Sequence, residues 1–217
     1  QSSDWLQLAY LRGPLWHGHE MLFGYTMAVI AGFLLTAVRA WTGQPTPTGA
    51  PLMALVALWV LGRVLVLTPL GTAAAVVNAA FPLALAVAIG IPLVRSRNVR
   101  NYFFVGLLVL MGALILALHL ALQGILELPA RIGLLLGLNV VLFIMTVMGG
   151  RVIPMFTNNG VSSAGATRHP LVEKLALGSV VLLFFADLLQ LEPVVVTAIA
   201  LFGAIAHGVR LYLWRPW

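Results

Sequence analysis

Seven apolar runs, each about 20 residues long and set apart by short polar or turn-rich breaks, constrain this chain more than any other feature. A run of that length crosses roughly 30 Å of hydrocarbon as a helix. Only helices and closed barrels keep every backbone amide hydrogen-bonded there. The runs fall near 15–38, 50–68, 72–94, 101–123, 129–151, 171–190 and 193–214, and they predict an all-α, polytopic transmembrane helical bundle. "TGQPTPTGAP" separates the first two, with Pro14 suited to the first turn of the first helix. "TPLG" at 68–71 and "LEP" at 191–193 are tight enough to make their flanking helices antiparallel neighbours. Composition agrees: 61% of residues are hydrophobic and 8% charged, against roughly 25% charged in soluble domains.

The few charges set orientation. One set of alternate loops carries Arg39, Arg95, Arg97, Arg100, Arg151, Arg168, Lys174, Arg210 and Arg215, while the other carries Arg12 and Arg131. The positive-inside rule makes the first set cytoplasmic, so seven spans run from an outside N-terminus to a cytoplasmic C-terminus. The net charge of +6 does not indicate a nucleic-acid partner, because the basic residues punctuate apolar runs and form no cluster with aromatics. The lipid bilayer is the expected surround. With no cysteine, disulfides, iron–sulfur clusters and thiolate ligands are excluded, and a metal must be held by His, Met, Asp or Glu. Because the chain starts at Gln1 and carries no signal peptide, 1–217 is read as a single transmembrane domain within a longer polypeptide.

Ionisable groups within these runs are functional-site candidates, since hydrocarbon tolerates them only against protein or water. "LWHGHEMLFGYTMAVIAGFLLTAV" at 15–38 places His17, His19 and Glu20 at the outer mouth of the first span. Arg63, His119 and Asp187 lie about three to five residues, or roughly 4–8 Å, from the outer ends of the second, fourth and sixth spans. Four spans thus bring an ionisable group to one level. On one α-helix His17 and His19 are about 200° apart and serve different partners, whereas an extended backbone there would let them share one ion. His17 then shares a face with Glu20 and with the Gly24, Ala28 and Gly32 stripe, leaving His19 to face elsewhere, with His119 as the candidate partner. Two imidazoles from different helices suit a b-type haem or copper. A buried Arg63–Asp187 ion pair is expected, with a haem propionate as the other partner for Arg63. Met21, Met27 and Met111 read as core fillers, His169 and His207 as residues without a ligand role, and Asn139 as an interhelical hydrogen-bonding residue. Gly133 and Gly137 form a close-packing pair. "MGGRVIPMFTNNG" at 148–160 reads as a shaped cytoplasmic corner closing the fifth span, with Arg151 reaching to anionic headgroups.

At these residues the chain resembles the NnrS family of bacterial haem- and copper-containing inner-membrane proteins linked to nitric oxide metabolism. The stretches that carry the resemblance are "WHGHEMLFGYTMAVIAGFLLTAVRAWTG" at 16–43, "APLMALVALWVLGRVLVL" at 50–67, "VMGGRVIPMFTNNG" at 147–160 and "HGVRLYLWRPW" at 207–217. Family members are about twice this length, with further histidine motifs. The resemblance implies haem b and copper as cofactors, a bacterial inner-membrane location, and functional roles for His17, His19 and Glu20 through W-H-x-H-E-M. Arg151 carries over through G-G-R-V-I-P without an assigned role. His119 and Asp187 rest on depth alone.

Three functions compete. The first is a haem or copper protein of nitric oxide metabolism or nitrosative-stress protection, binding NO or another small gas, or passing electrons, near the outer face. The second is a transporter or channel for copper, haem or another small solute, which requires a polar path through the membrane. The third is a non-catalytic helical subunit of a respiratory complex, which predicts that His17→Ala and His19→Ala are tolerated. The sequence does not specify a reaction.

Overall fold

The computed structural model describes residues 11, 13–161 and 163–215. Arg12, part of the charge asymmetry, lies outside them, as do Pro216 and Trp217 at the end of the last matching stretch. The fold is 82% helix without strands among the described residues. Among the described residues seven helices stand where seven apolar runs were read: α1 (Gly13–Thr42), α2 (Ala50–Leu65), α3 (Gly71–Arg95), α4 (Phe103–Leu122), α5 (Ala130–Gly160), α6 (Pro170–Leu188) and α7 (Pro193–Trp214). Five of them are long and apolar enough to cross a bilayer. The other two are α2, which stops at 16 residues, and α6, which carries Glu173, Lys174 and Asp187 within its 19 residues.

Local chemistry sets the ends. Pro14, Pro51 and Pro170 occupy first turns, where a missing N–H leaves no carbonyl unpaired. α1 ends at Gly43, whose φ of 65° lets its N–H donate to the Arg39 carbonyl. The corner expected at 148–160 is instead the continuation of α5, which runs to Gly160 with Pro154 inside it. A proline removes only its own donor, and membrane helices absorb that loss. The chain then turns where the Asn158 side-chain amide donates to the Ala166 carbonyl and its oxygen accepts from the Ala166 N–H.

The contacts divide the chain into two compact units, 1–137 and 138–217. In the first, α3 and α4 pair through a 3₁₀ turn at Val99–Asn101. The core interleaves Met27 and Leu34 of α1 with Leu85 and Ile89 of α3 and Leu108 and Met111 of α4, all fully or almost fully buried. Large apolar residues also cover the outside, such as Val56, Val60 and Val64 on α2 and Val87 and Val94 on α3, the surface a bilayer requires. Gly137 meets the Phe23 ring, where a Cβ would stand 2.6 Å from the nearest ring carbons, and Gly133 packs on Leu118. The Gly24/Ala28/Gly32 stripe is only partly an interface: Gly24 is buried, while Gly32 is exposed with nothing near its missing Cβ.

In the second unit α6 packs on α7, with Gly203 against Ser179. Arg210, 2% exposed, ties one end together. Its Nε donates to Glu173 Oε1 at 3.1 Å, and its Nη2 donates to Glu173 Oε2 and the Thr146 carbonyl, both at 2.7 Å. Its guanidinium lies 4.5 Å from the Trp214 ring centroid. A Cβ on Gly150 would collide with that guanidinium, which explains the second glycine of G-G-R.

Candidate metal centre

Two of the three residues at the mouth of α1 belong to one cluster, and the backbone explains the selection. Residues Gly13–His19 are α-helical, but Glu20–Thr26 form a π-helical stretch before the α-helix resumes at Met27. A π turn inserts one extra residue and shifts the phase of everything before it by about 100°. Continuous α-helical spacing would put His17 and Glu20 on the buried face. Instead His17 is exposed and His19 is fully buried. The expectation that His17 shares the inward face is therefore wrong for a stated physical reason.

His19 Nδ1–H donates to Glu20 Oε1 at 2.8 Å. That bond fixes the tautomer and leaves His19 Nε2 with a bare lone pair. Facing it at 3.1 Å is Nε2 of His119, from near the end of α4 and also fully buried. The two rings meet edge-on, with centroids 5.0 Å apart and planes 76° apart, and Phe23 closes a third side 5.5 Å from His19. His119 is held at its backbone, where Gln123 Nε2 donates to its carbonyl while Gln123 Oε1 accepts from the Thr72 hydroxyl of α3.

Arg63 of α2 neutralises the carboxylate. Its Nε lies 2.9 Å from Glu20 Oε2, its Nη1 donates to the Phe23 carbonyl at 3.2 Å, and its Nη2 donates to Asn78 Oδ1 of α3. Trp59 adds a bond to the Gly24 carbonyl at 3.0 Å, one turn from Arg63 on the same helix. These carbonyls lie within the π stretch, and the Gly24 oxygen accepts the Trp59 N–H in addition to the backbone N–H of Met27. Gly24 completes the cradle: a Cβ there would stand 2.8 Å from Arg63 Nη1.

Of the residues read from sequence, His19, Glu20, Arg63 and His119 converge, while His17 does not. The expected Arg63–Asp187 pair is replaced: Arg63 binds Glu20, and Asp187 Oδ2 accepts from Asn139 Nδ2 at 2.6 Å. Asn139 does bond between helices, as read. Asn78, Trp59 and Phe23 were missed as site residues. A lone asparagine in the run 72–94 was the available signal for the first. Met27 and Met111 are wholly buried core residues, and Met21 is exposed.

The donor set decides what it could hold. Two imidazole nitrogens hydrogen-bonded at 3.1 Å, with one ring backed by a carboxylate, have the donor types and outer hydrogen bond of a metal-binding pair. No group of three or more His, Cys, Asp or Glu converges among the described residues. A haem clamped between His19 and His119 does not fit. Its axial nitrogens would need roughly 4 Å between them, from bonds of about 2 Å each, with a porphyrin lying across the gap. A single ion does fit.

A family model described as "NnrS protein" matches residues 2–217. No curated protein and no solved structure gives a significant match. With the match running over almost the whole sequence, the chain belongs to the NnrS family.

Proposed function

We propose that this chain is a multi-pass protein of the bacterial inner membrane that serves nitric oxide metabolism or nitrosative-stress protection through a metal cofactor at the His19–His119 layer. The observation that carries this reading is the 3.1 Å approach of two buried imidazole nitrogens within a carboxylate–arginine frame. Copper or haem b is the cofactor class, with only the single ion compatible with the pair itself. A cuprous ion supplies, when bound, a soft centre for a diatomic ligand or an electron.

The residues do the rest. Glu20 keeps His19 in the tautomer that presents Nε2, and Arg63, itself held by the Phe23 carbonyl and Asn78, keeps Glu20 oriented. Phe23 shields the rings from water. An apolar ligand such as NO dissolves in the bilayer, and an apolar cavity of about 280 Å³ lined by Ala28, Ala31, Gly32 and Leu85 opens beside the site. Trp59 and Phe81 form one wall of that cavity and also line the niche holding Arg63 and Asn78.

Transport is the weaker alternative. Beyond the polar layer, α1, α3 and α4 bury Met27, Leu34, Val38, Leu85, Ile89 and Leu108, an apolar plug rather than a polar path. A respiratory complex or the remainder of a longer polypeptide is the expected partner. The test is a reduced-minus-oxidised optical spectrum with copper analysis of the purified full-length protein, before and after NO. Cofactor with an NO-dependent spectral change supports the reading. Folded protein with neither haem nor copper removes it.

A further inference from the structure

We infer that His19 and His119 together hold one transition-metal ion through their Nε2 atoms at a near-right angle, and that a haem in the same protein is ligated elsewhere. This deepens the proposed function and rests on it for the choice of copper.

The distance argues it. Metal–imidazole bonds are about 2.0–2.1 Å, so nitrogens 3.1 Å apart subtend an angle of about 100° at a shared ion. That lies between the octahedral and tetrahedral values, so the pair occupies neighbouring positions on one ion. Axial haem ligands stand opposite one another, and reaching that arrangement would part the rings by about 1 Å and open a porphyrin-sized slot. The site resists this. Both rings are fully buried, Phe23 packs on one of them, and Gly137 leaves that phenyl ring no spare room.

The surroundings favour an ion independently. His19 Nδ1 is held by Glu20, and Glu20 by Arg63, a chain that orients a ligating imidazole and fixes its free lone pair. Without the ion, His119 Nε2–H donates to His19 Nε2; with it, His119 ligates as the neutral tautomer that carries its proton on Nδ1. Two protein nitrogens leave at least one coordination position for a small exogenous ligand. Among divalent first-row ions imidazole favours copper most, and no thiolate competes in a chain without cysteine.

The experiment uses purified full-length protein in three forms, wild type, His119→Ala and Glu20→Gln, each assayed for copper, for haem by pyridine haemochrome, and for Cu(II) coordination by paramagnetic resonance. Wild type is expected to carry an ion with two imidazole nitrogens in its resonance signal. His119→Ala loses that ion and leaves the haem content and b-type spectrum unchanged. Glu20→Gln weakens the ion roughly 10–100-fold without abolishing it. Loss of haem with the ion retained in His119→Ala overturns the inference, as does wild type whose added copper shows no imidazole nitrogen. The second readout needs no variant, so a misfolded mutant does not decide the matter. An ion seated on both histidines whose signal ignores NO removes the functional reading and leaves the inference standing.

Discussion

Arg63 carries the clearest consequence at the residue scale, because it faces a carboxylate, an amide and a backbone carbonyl from a position 17% exposed. Removing one partner of a buried pair leaves the other charged without compensation. Arg63→Met is expected to cost about 3–5 kcal/mol, read as a drop in detergent Tm, and Arg63→Lys to recover only part, since a single ammonium cannot reach three acceptors in a fork. Gly150→Ala places a methyl on the Arg210 guanidinium and 2.6 Å from Glu173 Oε2. Overpacking of that kind costs about 1–3 kcal/mol, and unchanged unfolding would show that the clamp yields. Gly137→Ala strikes the Phe23 ring in the same way. A double-mutant cycle with Phe23→Leu should show that the smaller partner relieves much of the loss, whereas additive effects would refute the contact.

For the elements, the π stretch at Glu20–Thr26 is the device that aims the site. Deleting Leu22 removes one residue and lets α1 close as a continuous α-helix. His17 through Glu20 then rotate by about 100° against the rest of the helix. The chain should still insert, because its apolar length barely changes, but copper binding should fall to that of His19→Ala. Retained binding after the deletion would mean that the π geometry is incidental. α2 shows the complementary point: its 16 residues bring Trp59 and Arg63 onto the Gly24 and Phe23 carbonyls of α1, a short helix tied by polar contacts.

Over the whole molecule, the charge asymmetry makes a topological prediction. The protein has no cysteine, so single thiols report location cleanly. Thr48→Cys between α1 and α2, and Glu127→Cys between α4 and α5, both occupy exposed positions. An impermeant maleimide added to intact cells should label Glu127→Cys and spare Thr48→Cys until the membrane is opened. The reverse pattern would invert the assignment of faces and place the histidine layer at the cytoplasmic side.

Much of the architecture was legible because it follows from periodic composition. Seven helices, the start at Pro14 and the placing of His19, Arg63 and His119 near one level come from apolar run length, proline's place in a first turn and counting along a fixed rise. Three things escaped that counting. The phase of α1 depends on a π turn that spacing cannot show, so His17 was placed inward and His19 was assigned only a candidate partner. The continuation of α5 past Pro154 costs one backbone hydrogen bond, and a proline in the sequence does not tell whether a helix bears that cost or stops. The Glu20 partner of Arg63 depends on helix rotation, and depth along separate helices says nothing about rotation around them. The sequence by itself therefore determined the class, the family and the polar layer, because hydrocarbon punishes misplaced charge whatever the packing. Only the tertiary structure decided which nitrogen meets which, because a contact of 3.1 Å is set by helix phase and neighbour choice together.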